Sequence, residues 1–215
     1  MSRSEDPDDH SKMDGSPKNI KAETARPRTR GERKPPKKIT ETYLHNSGLY
    51  YLQRFAASAG QFRTVMQRKI DRSCQHHADQ RREDCIALLD ALIAKFETIG
   101  LLNDENYARG MVITLRRRGL SERAILMKLQ NRGLPESRIK EALAAFNDEN
   151  RIDSAKSDFR AALRLAQKKK VGPYAIGEFA YDKALSAFAR AGFPFDIARR
   201  VLDMTAEDLN DDQDE

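Results

Sequence analysis

Four soft ligands, Cys74, His76, His77 and Cys85, lie within twelve positions of one another and are the residues best suited to hold a metal. Structural zinc sites are built on closely spaced pairs such as Cys-x-x-Cys. No such pair occurs here, and the four residues fall across a helix boundary in the pattern described below. The expected reading is therefore no metal, with Cys85 a small core residue beside Leu88 and Leu92 and the histidines in a solvated turn. Phosphate gripping is excluded on similar grounds. The Gly172 to Gly177 spacing is followed by Glu178 and Phe179, where a nucleotide-binding loop needs Lys and Ser or Thr, so it reads as a linker. Gly-x-Gly-x-x-Gly, His-Glu-x-x-His and Gly-x-Ser-x-Gly are missing, and Asp208 with Asp211 sits in an acidic tail where nothing shifts a carboxylate for acid–base work. No catalytic residue and no cofactor are expected.

The remaining signal is basic. Lys156, Arg160, Arg164 and Lys168 recur every four residues, which places them in a row on one helix, extended by Lys169 and Lys170 and turned away from Phe159 and Leu163. Earlier in the chain, Arg116, Arg117 and Arg118 end a helix that also carries Arg109, and Arg123, Lys128 and Arg132 mark the polar face of the next. Arg63, Arg68, Lys69 and Arg72 repeat the theme nearer the start. Singly, each suits an ordinary solvated helix face. As a set recurring along the chain they point to a shared surface for a polyanion or an acidic protein. Few aromatics are interleaved, which favours phosphate or acidic-protein contacts over stacking on single-stranded bases.

Helices must position these side chains. Tyr107, Ala108, Met111, Val112 and Leu115 share one face of a helix from about Asp104 to Arg118, capped by Asn103 and stopped by Gly119. Ser121 caps a second helix, striped by Ile125, Leu126 and Leu129 and ended by Gly133. Pro135 opens a third, striped by Ile139, Ala142, Leu143 and Phe146. Three short helices bury little alone, so the unit is expected to recur. GLPESRIKEAL, from Gly133, is echoed by GFPFDIARRVL, from Gly192, with Ala184, Leu185 and Phe188 in the roles of Ile125, Leu126 and Leu129. Ile152, Ala155, Phe159, Ala162, Leu163 and Ala166 supply the leading helix of that later unit. A weaker first unit runs through Tyr43 to Ala57, then Phe62, Val65, Met66 and Ile70, then Leu88, Leu89, Leu92, Ile93, Phe96 and Ile99. No stretch alternates as a strand would. The expected fold is all-α: an elongated tandem array of three three-helix repeats over 39–101, 102–148 and 149–205, flanked by disordered tails.

Composition agrees. With 39% hydrophobic and 33% charged residues and no Trp, a modest core under a charged surface is expected. No apolar run approaches the ~20 residues that cross a bilayer, and MSRSEDPDDH lacks the apolar centre of a secretory signal, so a cytoplasmic protein is expected. Residues 1–38 hold eleven bases against seven acids, with Pro27, Pro35 and Pro36 breaking any helix, and read as a disordered basic arm. Residues 206–215 hold six acids and no base, so the stretch 39–205 is itself strongly basic.

The second unit carries a resemblance. Leu102, Asp104, Tyr107, Ala108, the Arg116 to Arg118 run with Gly119, then Ile125, Leu129, Gly133, Ile139 and Ala142 resemble the bacterial RecX regulatory family, and the likeness extends over roughly residues 40–204. The first unit departs most, with Gln61 and Phe62 where family members tend to have an acid and Leu, and with the inserted segment CQHHADQRRED. The resemblance implies a repeat array that binds the RecA recombinase filament on DNA and lies in its groove. It further implies inhibition of ATP hydrolysis, strand exchange and co-protease activity, which tempers the SOS response. A monomer acting as a binding protein and not as an enzyme is expected, with direct DNA contact through the basic faces as a further expectation. The alternative is a sequence-nonspecific DNA-binding protein that needs no RecA and loses affinity steeply with salt.

Overall fold

A computed structural model describes residues 35–211. Those residues form helices and connecting turns, with no strand among them. The first triplet comprises α1 (Glu41–Leu52), α2 (Ala59–His76) and α3 (Arg82–Thr98). The second comprises α4 (Asp104–Arg117), α5 (Glu122–Gln130) and α6 (Glu136–Glu149). The third comprises α7 (Ser154–Lys169), α8 (Tyr181–Arg190) and α9 (Phe195–Asp203), followed by one further turn, α10 (Asp208–Asp211).

The triplets share their punctuation. Each leading helix has a capping side chain: Thr40, Asn103 and Asp153 accept from the backbone N–H three residues on, at 3.1, 2.8 and 2.7 Å. Ser58 and Ser121 cap α2 and α5 in the same way. Pro135 and Pro194 precede α6 and α9, where a missing N–H costs nothing because the first helical turn has no acceptor for it.

Each triplet also has its own core. Leu44, Phe62, Met66, Ile70, Leu89 and Phe96 close the first, and Val112, Leu115, Ile125, Leu129, Ile139 and Leu143 the second. The third is thinner, resting on Ala161, Ala162, Ala166, Phe188 and Val201. Small residues here let α7 approach its neighbours closely on two sides, against α9 within the triplet and against α4 and α6 of the one before.

Several expectations change. The helix traced from Tyr43 to Ala57 ends at Leu52, because the chain must straighten to bring Ser58 into its extended capping conformation (φ −71°, ψ 159°). The Gly172 linker is a docked 3-10 turn: Pro173 is buried, and a Cβ on Gly172 would stand 2.6 Å from the Val201 carbonyl oxygen. On α7 the buried side is Ser157, Ala161, Ala162, Leu165 and Ala166, while Ala155 is exposed and Phe159 and Leu163 are half-buried. The apolar stripe read from sequence is rotated because this helix has two packed faces instead of one.

The basic arm lies outside the described residues up to position 34. Its last residues are clasped by Ser73 and the inserted segment that follows it. His77 lies 2.8 Å from the Pro36 carbonyl oxygen, Ser73 donates to the Lys37 carbonyl at 2.9 Å, and Gln80 bonds both the N–H and the carbonyl of buried Ile39. His77 is therefore half-buried and engaged, which corrects the solvated-turn reading. Cys74 and Cys85 face each other with sulfurs 4.0 Å apart, both free thiols. Burial, helped by Cys74, pushes the Cys85 thiol up to about 11.

Candidate functional site

The two joints between triplets are built alike, and they decide which basic residues are left on the surface. At the first, the Ser58 hydroxyl donates to the Arg132 carbonyl, the Ala59 N–H donates to Asp104 at 2.8 Å, and the Gln61 carbonyl oxygen accepts from the Tyr107 hydroxyl at 3.3 Å. Gly133 (φ +78°) lies so close to Gly60 that a Cβ on it would stand 2.7 Å from the Gly60 Cα. At the second, the Glu122 N–H donates to Asp158 at 2.8 Å and the Ser121 N–H donates to the Ala191 carbonyl at 3.1 Å. Gly192 (φ +85°) lies against Ser121 and Ala124. In both joints the start of a triplet's second helix meets an aspartate at the head of the next triplet and the glycine turn beyond it. The repeated Gly133 and Gly192 of the sequence are therefore joint residues, held where only glycine lacks a clash.

This geometry removes Arg116 from the candidate surface. Its side chain is 1% exposed and bonds Asp158, the Leu120 carbonyl at 3.4 Å and Glu122 at 3.5 Å. A buried guanidinium needs such partners to offset its lost hydration, so Arg116 is a cross-joint tie and has no face to offer. Arg132 is half-buried, donating to the Tyr107 hydroxyl at 2.7 Å across its own triplet. Arg63 is half-buried and pairs with Asp90, and Arg109 pairs with Glu149 at 2.8 Å. Arg63 and Arg109 are thus partly neutralised within the chain, and Arg132 is engaged by a neutral hydroxyl.

The exposed remainder falls into separate patches. Arg68 and Arg72 lie on the outer side of α2, with half-buried Lys69 bordering α1. Arg117 and Arg118 close α4, and Lys168 of α7 reaches back to the Arg117 carbonyl at 3.0 Å. Arg164, Lys169 and Lys170 continue along α7, with Lys170 ending the helix in the left-handed region (φ +54°). Lys156 and Arg160 line a groove between α7 and α9 together with Phe159, so the row is not turned away from that ring as the helical period suggested.

Arg123 and Lys128 line a second groove, of about 590 Å³, which crosses the joint between α5 and α8. Arg190 completes it from the third triplet, and none of its lining residues is acidic. Met127, 56% exposed, lines it beside them. Among the described residues, no carboxylate lies within ion-pair reach of Arg123, Lys128 or Arg190. Sequence reasoning missed Arg190. Extending the fifty-nine-residue echo upstream would have aligned it with Asn131, another lining residue of the same groove.

The fold and site define a helical repeat protein whose surface grooves carry unpaired cations among the described residues. Residues 103–143 match the family model described as RecX, second three-helix domain. The chain is 39% identical over 174 residues to Regulatory protein RecX of Myxococcus xanthus, covering 79% of this chain and 89% of that protein. It is 32% identical over 173 residues to Regulatory protein RecX of Agrobacterium fabrum, covering 79% and 87%. The crystal structure of RecX from Lactobacillus salivarius superposes with a TM-score of 0.50 at 21% identity, over 75% of this chain and 93% of that one, a likeness of fold. The chain belongs to the RecX family of regulatory proteins.

Proposed function

We propose that this chain acts without catalysis, in the cytoplasm, as an inhibitor of the RecA filament assembled on DNA. In this reading it lodges across neighbouring RecA protomers and hinders the subunit rearrangements on which ATP hydrolysis, strand exchange and co-protease activity depend, so tempering the SOS response. The family supports the partner. The observation that carries the docking face is the α5/α8 groove, which Arg123, Lys128 and Arg190 from two triplets line together with exposed Met127 and with no acid among the lining residues. A cationic groove with an adaptable apolar side chain in its lining suits an acidic protein surface better than bare phosphates. Many modest contacts along a repeat array then sum to firm binding.

The test is RecA's DNA-dependent ATPase titrated with the parent chain and with Arg123→Glu/Lys128→Glu/Arg190→Glu. The parent should slow turnover, and the reversal variant should need at least tenfold more protein for the same effect, through like-charge repulsion at an unchanged helix content. Unchanged turnover at saturating parent protein would end the reading, and equal potency of the variant would end the assignment of the face. The unpaired cations also favour a second reading, DNA binding with no need of RecA. That predicts duplex binding by the chain alone, falling steeply with salt.

A further inference from the structure

The groove between α7 and α9 differs from the α5/α8 groove in being lined in part by the chain beyond α9. Its floor is Phe159, over whose ring the Arg200 guanidinium stacks at 4.4 Å. Arg151, Lys156 and Arg160 join Arg200 along its walls, with Asp196 the single acid among its lining residues. The lining residue from beyond α9 is Leu209, within the most acidic stretch of the chain. Leu209 is half-buried, while residues 205–208 before it are all exposed. The turn that presents it is built locally. Thr205 and Asp208 form a reciprocal cap: the Thr205 N–H donates to the Asp208 carboxylate at 2.7 Å, and the Asp208 N–H returns to the Thr205 hydroxyl at 3.4 Å. The Thr205 N–H, together with the Thr205 hydroxyl donating at 2.8 Å, holds the Asp208 carboxyl below the usual carboxylate range, so it is anionic at neutral pH. The sequence supplies six acids from Glu207 to Glu215 and no base.

We infer that the α7/α9 groove is a receptor for an acidic segment with one apolar anchor, and that residues 205–211 of this chain cover it as a tethered competitor. Leu209, which lines the groove with Phe159, is the anchor, and the flanking carboxylates are drawn by the four cations of the walls. An intramolecular ligand on so short a connection works at an effective concentration in the millimolar range. An outside acidic partner must therefore displace it before reaching Lys156, Arg160 and Arg200. Residues 205–211 thereby regulate how much of the third triplet's basic face is available. This inference does not rest on RecA as the partner.

The absence of tryptophan from the chain gives a clean test. In full-length Leu209→Trp, the introduced indole should emit as a partly buried group at low salt and resist acrylamide. Adding Arg160→Glu and Arg200→Glu should raise quenching several-fold at unchanged helix content, as should 1 M salt. An indole fully exposed at low salt, or one indifferent to the charge reversals, overturns the inference. A fluorescein-labelled peptide of residues 203–215 provides a second measurement. Full-length Leu209→Asp, with the anchor removed, should bind it at least tenfold more tightly than the parent chain does. Equal binding to both overturns the inference. So does a Leu209→Asp chain that captures single-stranded DNA but not the peptide, since the groove would then serve a different polyanion.

Discussion

Asp158→Ala probes the joint between the second and third triplets most sharply. In the parent, the Asp158 carboxylate pairs with the Arg116 guanidinium and accepts the Glu122 N–H at 2.8 Å. Removing it leaves a side chain 1% exposed with two long contacts, Leu120 carbonyl at 3.4 Å and Glu122 at 3.5 Å, while its Nε already has no partner among the described residues. An uncompensated buried charge costs about 3–5 kcal/mol. Because Glu122 is 39% exposed and has room to move closer, the lower end applies, about 3 kcal/mol. Arg116→Met has a different balance. It withdraws the buried charge and its unpaired Nε, fills much of the same volume, and leaves Asp158 16% exposed with its Glu122 bond intact. The expected loss is about 1 kcal/mol. With a urea slope of about 2 kcal/mol per M, Asp158→Ala should lower the midpoint by roughly 1.5 M and Arg116→Met by about 0.5 M. Far-UV circular dichroism during urea titration reads both. A midpoint for Asp158→Ala within about 0.3 M of the parent, or a larger fall for Arg116→Met, refutes the account of the tie.

Two further outcomes follow from the same packing. Gly133→Ala and Gly177→Ala both force alanine into the left-handed region, at about 1–2 kcal/mol each, but only Gly133 has a neighbouring backbone 2.7 Å from the added carbon, and Gly177 has open space. Thermal melts should show Gly133→Ala as clearly the more damaging, and equal losses would deny the close approach at the first joint. Cys85, buried at 3% exposure with its thiol raised to about 11, should be about one part in a thousand thiolate at pH 8. Iodoacetamide followed by peptide mass spectrometry should therefore modify half-buried Cys74 far sooner, with Cys85 reacting faster as pH rises toward 11, and equal rates at pH 8 would contradict its burial.

Local signals were legible in the sequence where backbone punctuation enforces them. Asn103, Ser121, Gly133 and Pro135 each act through a neighbour within a few positions, and the echo at Gly192 carried the repeat. What stayed hidden depended on partners far along the chain. Arg116 continues the Ala108 and Val112 stripe at a four-residue step, so its inward position was written in the period, yet a charge there reads as surface until Asp158, 42 residues away, is brought to it. Phe159 misled for the opposite reason: α7 packs on two sides, and one moment direction cannot report two buried faces. Leu209 was lost among carboxylates because a single apolar residue gives no periodic signal at all.

The joints also explain how uncharged or buried residues govern a charged surface. Arg123 and Lys128 stand on α5 and Arg190 on α8, and the groove they share exists because Ser121 and Ala124 meet Gly192 across the joint. Loosening Arg116 or Gly192 would leave the net charge almost untouched while separating those cations, so recognition and stability should fall together. Reversing Arg123 or Lys128, exposed and without ion-pair partners among the described residues, should cost recognition alone. The two classes of variant therefore separate a surface that binds through local charge density from one that binds through total charge. If the chain worked only as a diffuse polycation, loosening the joint would spare binding, because a separated set of cations still attracts phosphate over a Debye length. A docking face assembled from two triplets cannot survive that separation.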